Sequence, residues 1–120
     1  MADIFVVDDE PMIHVLYQKI FSRRGCNIIG EAFNGSEAIV KIKELHQEPD
    51  IVIMDHRMPI KDGLETTSCL LKLFPSLKVI FVSADSSIKI QAKIIGAKLF
   101  IEKPFDFEFL VESIVELINT

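Results

Sequence analysis

Four apolar runs in this chain each lead into a residue able to do chemistry. Ile4-Phe5-Val6-Val7 runs into Asp8-Asp9-Glu10, and Ile51-Val52-Ile53-Met54 runs into Asp55. Val79-Ile80-Phe81-Val82 precedes Ser83, and Leu99-Phe100-Ile101 is followed, one residue on, by Lys103. Three carboxylates gathered together repel one another and demand a hard, oxygen-loving cation; Mg2+ is the usual choice beside phosphate. A carboxylate can also act as a nucleophile and form an acyl phosphate. A metal and a lysine would neutralise charge on an in-line phosphoryl transfer, and a hydroxyl would hydrogen-bond a phosphoryl oxygen. Asp8, Asp9, Asp55, Ser83 and Lys103 supply one residue for every part of that task.

These residues need a scaffold that brings strand ends together. Short β-branched runs read as strands buried in a parallel sheet, and in open α/β sheets ligands bind just outside the carboxyl ends of the strands. Strands are expected at 4–7, 27–32, 51–55, 79–82 and 99–101. Helices are expected over 11–24, from 36, over 64–74, over 87–95 and from 106 to the end. Pro11 suits a first helical turn, Gly25 and Gly96 stop helices, and Ile13, Leu16, Ile20 and Phe21 recur at helical spacing as a core stripe. Ala38, Ile39, Ile42 and Leu45 do the same in the second helix. Five strand–helix units predict one α/β domain over 1–120, a doubly wound parallel sheet covered on both faces. The flavodoxin-like strand order 2-1-3-4-5 is chosen because strands 1 and 3 then meet at the switch point.

Composition narrows the class. A chain of 120 residues with net charge −5 argues against a sequence-independent grip on nucleic acid. No apolar stretch approaches the roughly 20 residues of a membrane span. Met1-Ala2-Asp3 carries no basic leader, so the expectation is a cytoplasmic protein. Cys26 and Cys69 lack metal-ligand spacing and are expected to be buried thiols. His14 and His46 are expected on helix surfaces, with Tyr17 and Gln18 also at the surface, and His56 as a loop histidine.

Together these motifs resemble the receiver domains of two-component response regulators. The resemblance spans the whole chain. It is carried by Val7-Asp8-Asp9-Glu10, by 53–63 (Ile-Met-Asp-His-Arg-Met-Pro-Ile-Lys-Asp-Gly), by Val82-Ser83-Ala84 and by Glu102-Lys103-Pro104-Phe105. It implies that Asp55 is the phosphoacceptor, Asp9 a direct Mg2+ ligand and Asp8 an acid that helps hold the metal. Asp55 itself and the backbone carbonyl of Arg57 would complete the protein ligands. It makes Ser83 and Lys103 the phosphate-binding hydroxyl and ammonium, Phe100 the aromatic switch, and Lys103-Pro104 a cis bond. The implied mechanism is a phosphorylation switch: Ser83 moves toward the phosphate, Phe100 rotates inward, and the face of the fourth helix, fifth strand and fifth helix repacks. The domain would catalyse only its own phosphorylation and dephosphorylation.

The implied donor is a sensor histidine kinase or histidine phosphotransfer protein. The implied readout is a downstream protein or an output domain that this chain, ending with its fifth helix, would lack. It could stand alone or be cut from a longer protein. Arg57 and Asp85 occupy the positions two after Asp55 and two after Ser83, which in the family tune hydrolysis; they are expected to pair across the mouth of the site. Lys89 and Lys93 on the fourth helix, and Glu108, Glu112 and Glu116 on the fifth, read either as solvated charge rows on a monomer or as a weak phosphorylation-dependent homodimer face. Two rivals remain. A haloacid dehalogenase-type phosphohydrolase would carry an aspartate where Arg57 stands, and a degenerate receiver acting as a scaffold would lack a site residue.

Overall fold

A computed structural model describes residues 2–120. Met1, the first residue of the stretch expected to carry no basic leader, lies outside the described residues. The strands are β1 (Ala2–Val7), β2 (Cys26–Ala32), β3 (Ile51–Met54), β4 (Val79–Ser83) and β5 (Leu99–Glu102). The helices are α1 (Pro11–Ser22), α2 (Gly35–Glu44), α3 (Gly63–Leu73), α4 (Lys89–Ile94) and α5 (Phe107–Ile118). All strand pairs are parallel, in the order β2-β1-β3-β4-β5. The expected doubly wound topology is the one observed.

Both faces of the sheet are apolar, which is why the strands read as continuous greasy runs. Ile4, Val6, Ile53 and Val82 point to one side, against Tyr17 and Phe21 of α1 and Leu110 and Ile114 of α5. Phe5, Val7, Met54 and Phe81 point to the other, against Ala38 and Ile42 of α2, Leu70 of α3 and Ala92 of α4. The starts of α2, α3 and α5 are set by side-chain caps. Asn34 accepts from the Glu37 N–H, and Glu37 reaches back to the Phe33 N–H. Asp62 and Asp106 cap α3 and α5 in the same way, accepting from Glu65 and Glu108.

Several expectations need correcting. The buried face of α1 is His14, Tyr17 and Phe21, whereas Leu16 is 39% exposed and Ile13 and Ile20 only flank the core. His14 and Tyr17 are therefore not surface residues. His46 is exposed but lies beyond the C-terminus of α2. Cys26 is buried, while Cys69 is only half-buried. The fourth helix is broken: a 3-10 turn at Ser86–Ile88 precedes an α4 of only six residues. Ile88, Ile90, Ile94 and Ile95 are poor helix formers, and no side chain caps α4. Gly96 then ends it at φ 114°, a conformation a side chain resists.

Candidate functional site

Register delivers the site residues. Val7 pairs with Met54, so Asp8 and Asp55 leave neighbouring strands at the same level, and the Asp55 N–H donates to the Val7 carbonyl at 3.0 Å. On the far side Ser83 pairs with Glu102, and the Lys103 N–H donates to the Ser83 carbonyl at 2.9 Å. These ladders end at the carboxyl edge of the sheet, above which lies a cleft of about 490 Å³. Asp9, Glu10, Asp55, Arg57, Ser83, Ala84, Asp85 and Lys103 line it.

Asp8 is nearly buried and sits at one end of a charge bridge. Lys103 Nζ lies 3.6 Å from Asp8 Oδ2 and 3.6 Å from Asp55 Oδ1. Carboxylate oxygens of Asp8, Asp9 and Glu10 all lie within 4.8 Å of one another. One ammonium does not balance this many acids. Burial, with the repulsion of Asp8 behind it, pushes the Asp55 carboxyl up to about 6 against the opposing pull of Lys103. A dense set of hard oxygen donors short of positive charge is what a divalent cation such as Mg2+ fits.

Arg57 and Asp85 meet across the mouth, Nη2 to Oδ2, at 3.5 Å. Arg57 is otherwise exposed, whereas Asp85 is tied down. The Ser87 hydroxyl and N–H, with a smaller contribution from Arg57, hold the Asp85 carboxyl below the usual carboxylate range. The Ser83 hydroxyl is buried and accepts from the Asp85 N–H at 3.1 Å. The Lys103-Pro104 bond is cis. Phe100 stands away from the cleft, half-buried on the opposite face of β5 and stacked on Phe81 with ring centroids 6.4 Å apart. His56 is a loop residue, is not among those lining the cleft, and accepts the Gly63 N–H at its carbonyl.

The loop after Asp55 is tightly built. A Cβ on Gly63 would fall 2.3 Å from the Asp55 carbonyl oxygen, so only glycine lets α3 start against the backbone of Asp55. Ile60 adopts φ 71° while 80% exposed, in a turn closed by the Lys61 N–H on the Pro59 carbonyl at 2.8 Å. A β-branched residue there is strained.

Three residues near the site escaped sequence reasoning. Glu10 joins the acidic cluster, a role its adjacency to Asp8 and Asp9 could have suggested. Tyr17 is buried beneath the site, and burial plus the charges of Asp8 and Asp55 push its phenol well above its usual range. His14 contacts the Asp8 backbone. Its spacing from Tyr17 and Phe21 was the available signal, since the three lie on one helical face.

A sequence model of the response regulator receiver domain matches residues 4–115. This chain belongs to that family. The receiver domain is 38% identical over 113 residues to the chemotaxis protein CheY of Thermotoga maritima, a match covering 92% of each chain. Among solved structures, the CheX–CheY–BeF3–Mg2+ complex of Borrelia burgdorferi contains a chain matching with TM-score 0.90 and 31% identity, over 97% of this chain and 88% of that one. The response regulator TrrA of Thermotoga maritima, in complex with Mg2+-BeF, matches with TM-score 0.87 and 33% identity, over 98% and 99% of the two chains. The receiver fold is shared throughout. No helix among the described residues is long and apolar enough to cross a membrane.

Proposed function

We propose that this receiver domain takes a phosphoryl group onto Asp55 from the phosphohistidine of a sensor histidine kinase or a histidine phosphotransfer protein. It then signals to a partner protein or an output domain. One observation carries the reading: a single ammonium, Lys103, spans the acceptor Asp55 and the acidic cluster at 3.6 Å from each. The relatives bound to Mg2+ and beryllium fluoride support it, since beryllium fluoride is a tetrahedral stand-in for a phosphoryl group.

An Asp55 carboxylate oxygen attacks phosphorus in line while the donor's N–P bond breaks. The electron pair leaves with the imidazole nitrogen, which takes up a proton. Lys103 holds a phosphoryl oxygen, and the Ser83 hydroxyl leaves the Asp85 N–H to donate to another. Asp8, Asp9, Asp55 and the Arg57 carbonyl would hold Mg2+, with Glu10 adding charge at the rim. When bound, Mg2+ supplies the positive charge that the acids and the phosphoryl oxygens lack. Arg57 and Asp85 close the mouth and slow attack by water. Withdrawal of Ser83 leaves room for Phe100 to turn inward, which shifts the population of α4–β5–α5 packings.

The domain turns over no separate substrate; its chemistry is its own phosphorylation and dephosphorylation. We place it in the cytoplasm, where kinase and phosphate donors are available. We read the charge rows as a solvated monomer surface, because Glu108 is already engaged by Arg24 of the same chain. The test is incubation with Mg2+ and acetyl phosphate followed by intact mass measurement. A stable gain of one phosphoryl group, absent in Asp55→Asn, is expected. Rapid turnover of varied phosphate esters would point to a hydrolase, and no modification at all would point to a scaffold.

A further inference from the structure

Of the buried polar side chains that the mechanism above leaves unused, His14 is the one that touches a site residue. His14 of α1 is 4% exposed, with its ring against Phe33 at a centroid distance of 4.4 Å. Its Nε2 lies 2.7 Å from the backbone carbonyl oxygen of Asp8. A carbonyl only accepts, so Nε2 carries the proton and donates. Nδ1 lies 2.9 Å from Glu31 Oε2, outside good hydrogen-bond direction.

Asp8 is thereby held from every side. Its N–H donates to the Ala32 carbonyl at 3.1 Å. Its Oδ1 accepts the Glu10 N–H at 2.9 Å, and its Oδ2 faces Lys103 at 3.6 Å. The remaining group, the carbonyl, points away from the cleft into α1, and His14 is the side chain that meets it. That peptide unit joins Asp8 to Asp9. Its orientation sets where the two carboxylates stand relative to each other.

We infer that His14 is a positioning residue for the acidic cluster. Through its Nε2–H on the Asp8 carbonyl it fixes the Asp8–Asp9 peptide, and so sets how well the paired carboxylates receive a divalent cation. The inference rests on the Mg2+ site proposed above. Outer-layer hydrogen bonds around metal ligands are worth roughly 10–100-fold in affinity. His14 acts through backbone one peptide away, so the lower end, about 10-fold, applies.

The test is calorimetric titration of Mg2+ into the intact protein, its His14→Leu variant and its His14→Gln variant. Leucine keeps bulk without a donor; glutamine places an amide N–H near the Nε2 position. His14→Leu is expected to bind Mg2+ about 10-fold more weakly, and His14→Gln to recover to within about 3-fold of wild type. Both variants lose the imidazole's packing on Phe33, so a purely structural role would lower both melting temperatures without separating their Mg2+ affinities. Should His14→Leu fail to fold, His14→Asn replaces it, because its amide is too short to reach Asp8. Wild-type affinity in the donorless variant, or equal weakness in His14→Gln, would overturn the inference alone. A wild-type protein that binds no Mg2+ would overturn the inference and the metal reading together.

Discussion

Replacing Asp55 by asparagine should stabilise the metal-free protein at neutral pH. Asp55 is held in a half-closed cleft with Asp8 behind it, and its carboxyl is pushed from 3.8 up to about 6. A raised acid favours the folded state while protonated and loses that favour on ionising. Its contribution is therefore fully present below about pH 4, falls as pH rises through about 6, and is gone at pH 7.5. About two pH units correspond to about 3 kcal/mol before screening. The cleft opens to solvent, which reduces the expected figure to about 1–2 kcal/mol. Asparagine is neutral at every pH, so Asp55→Asn should exceed wild type by about 1–2 kcal/mol at pH 7.5 and by clearly less at pH 4.5, where the folded carboxyl is already protonated. Urea unfolding in the presence of a chelator at the two pH values measures this. Added Mg2+ should then stabilise wild type more than the variant. An asparagine variant no more stable than wild type at pH 7.5, or a gain that persists unchanged at pH 4.5, would refute the electrostatic account of the cleft.

Three further outcomes follow from the geometry. Arg57→Ala should lose its phosphoryl group about 2–5-fold faster, the range given by an exposed pair worth up to about 1 kcal/mol acting on the barrier; decay followed by intact mass checks it. Gly63→Ala should cost about 1–3 kcal/mol in urea unfolding and slow labelling by acetyl phosphate, because the added methyl strikes the Asp55 carbonyl. Sedimentation with Mg2+ and beryllium fluoride at high concentration should give a monomer, and a dimer there would contradict the reading of the charge rows as solvated.

Most of the framework was legible because both faces of the sheet are buried. Runs such as residues 51–54 can hardly be anything but a central strand, and the acids, serine and lysine follow at the strand ends. Parallel pairing then fixes their level. What escaped reading has physical causes. The buried face of α1 carries His14 and Tyr17, residue types that usually lie at or near the surface, so the apolar stripe pointed a notch away. The break in the fourth helix depends on Asp85 capping a 3-10 turn. A capping acid and an acid facing the cleft look alike in sequence, and Asp85 caps the turn while meeting Arg57 across the mouth. The turn at Ile60 breaks a local rule, since isoleucine disfavours positive φ, so composition could not foretell it.

In the proposed mechanism Asp55 carries the phosphoryl group. Borohydride reduces an acyl phosphate to an alcohol, which turns a phosphorylated aspartate into homoserine. After treatment with Mg2+ and acetyl phosphate, reduction and proteolysis, peptide mass mapping should find homoserine at position 55 and nowhere else. Homoserine at another acid such as Asp9, or an unreduced protein that still carries phosphate on His56, would contradict the account.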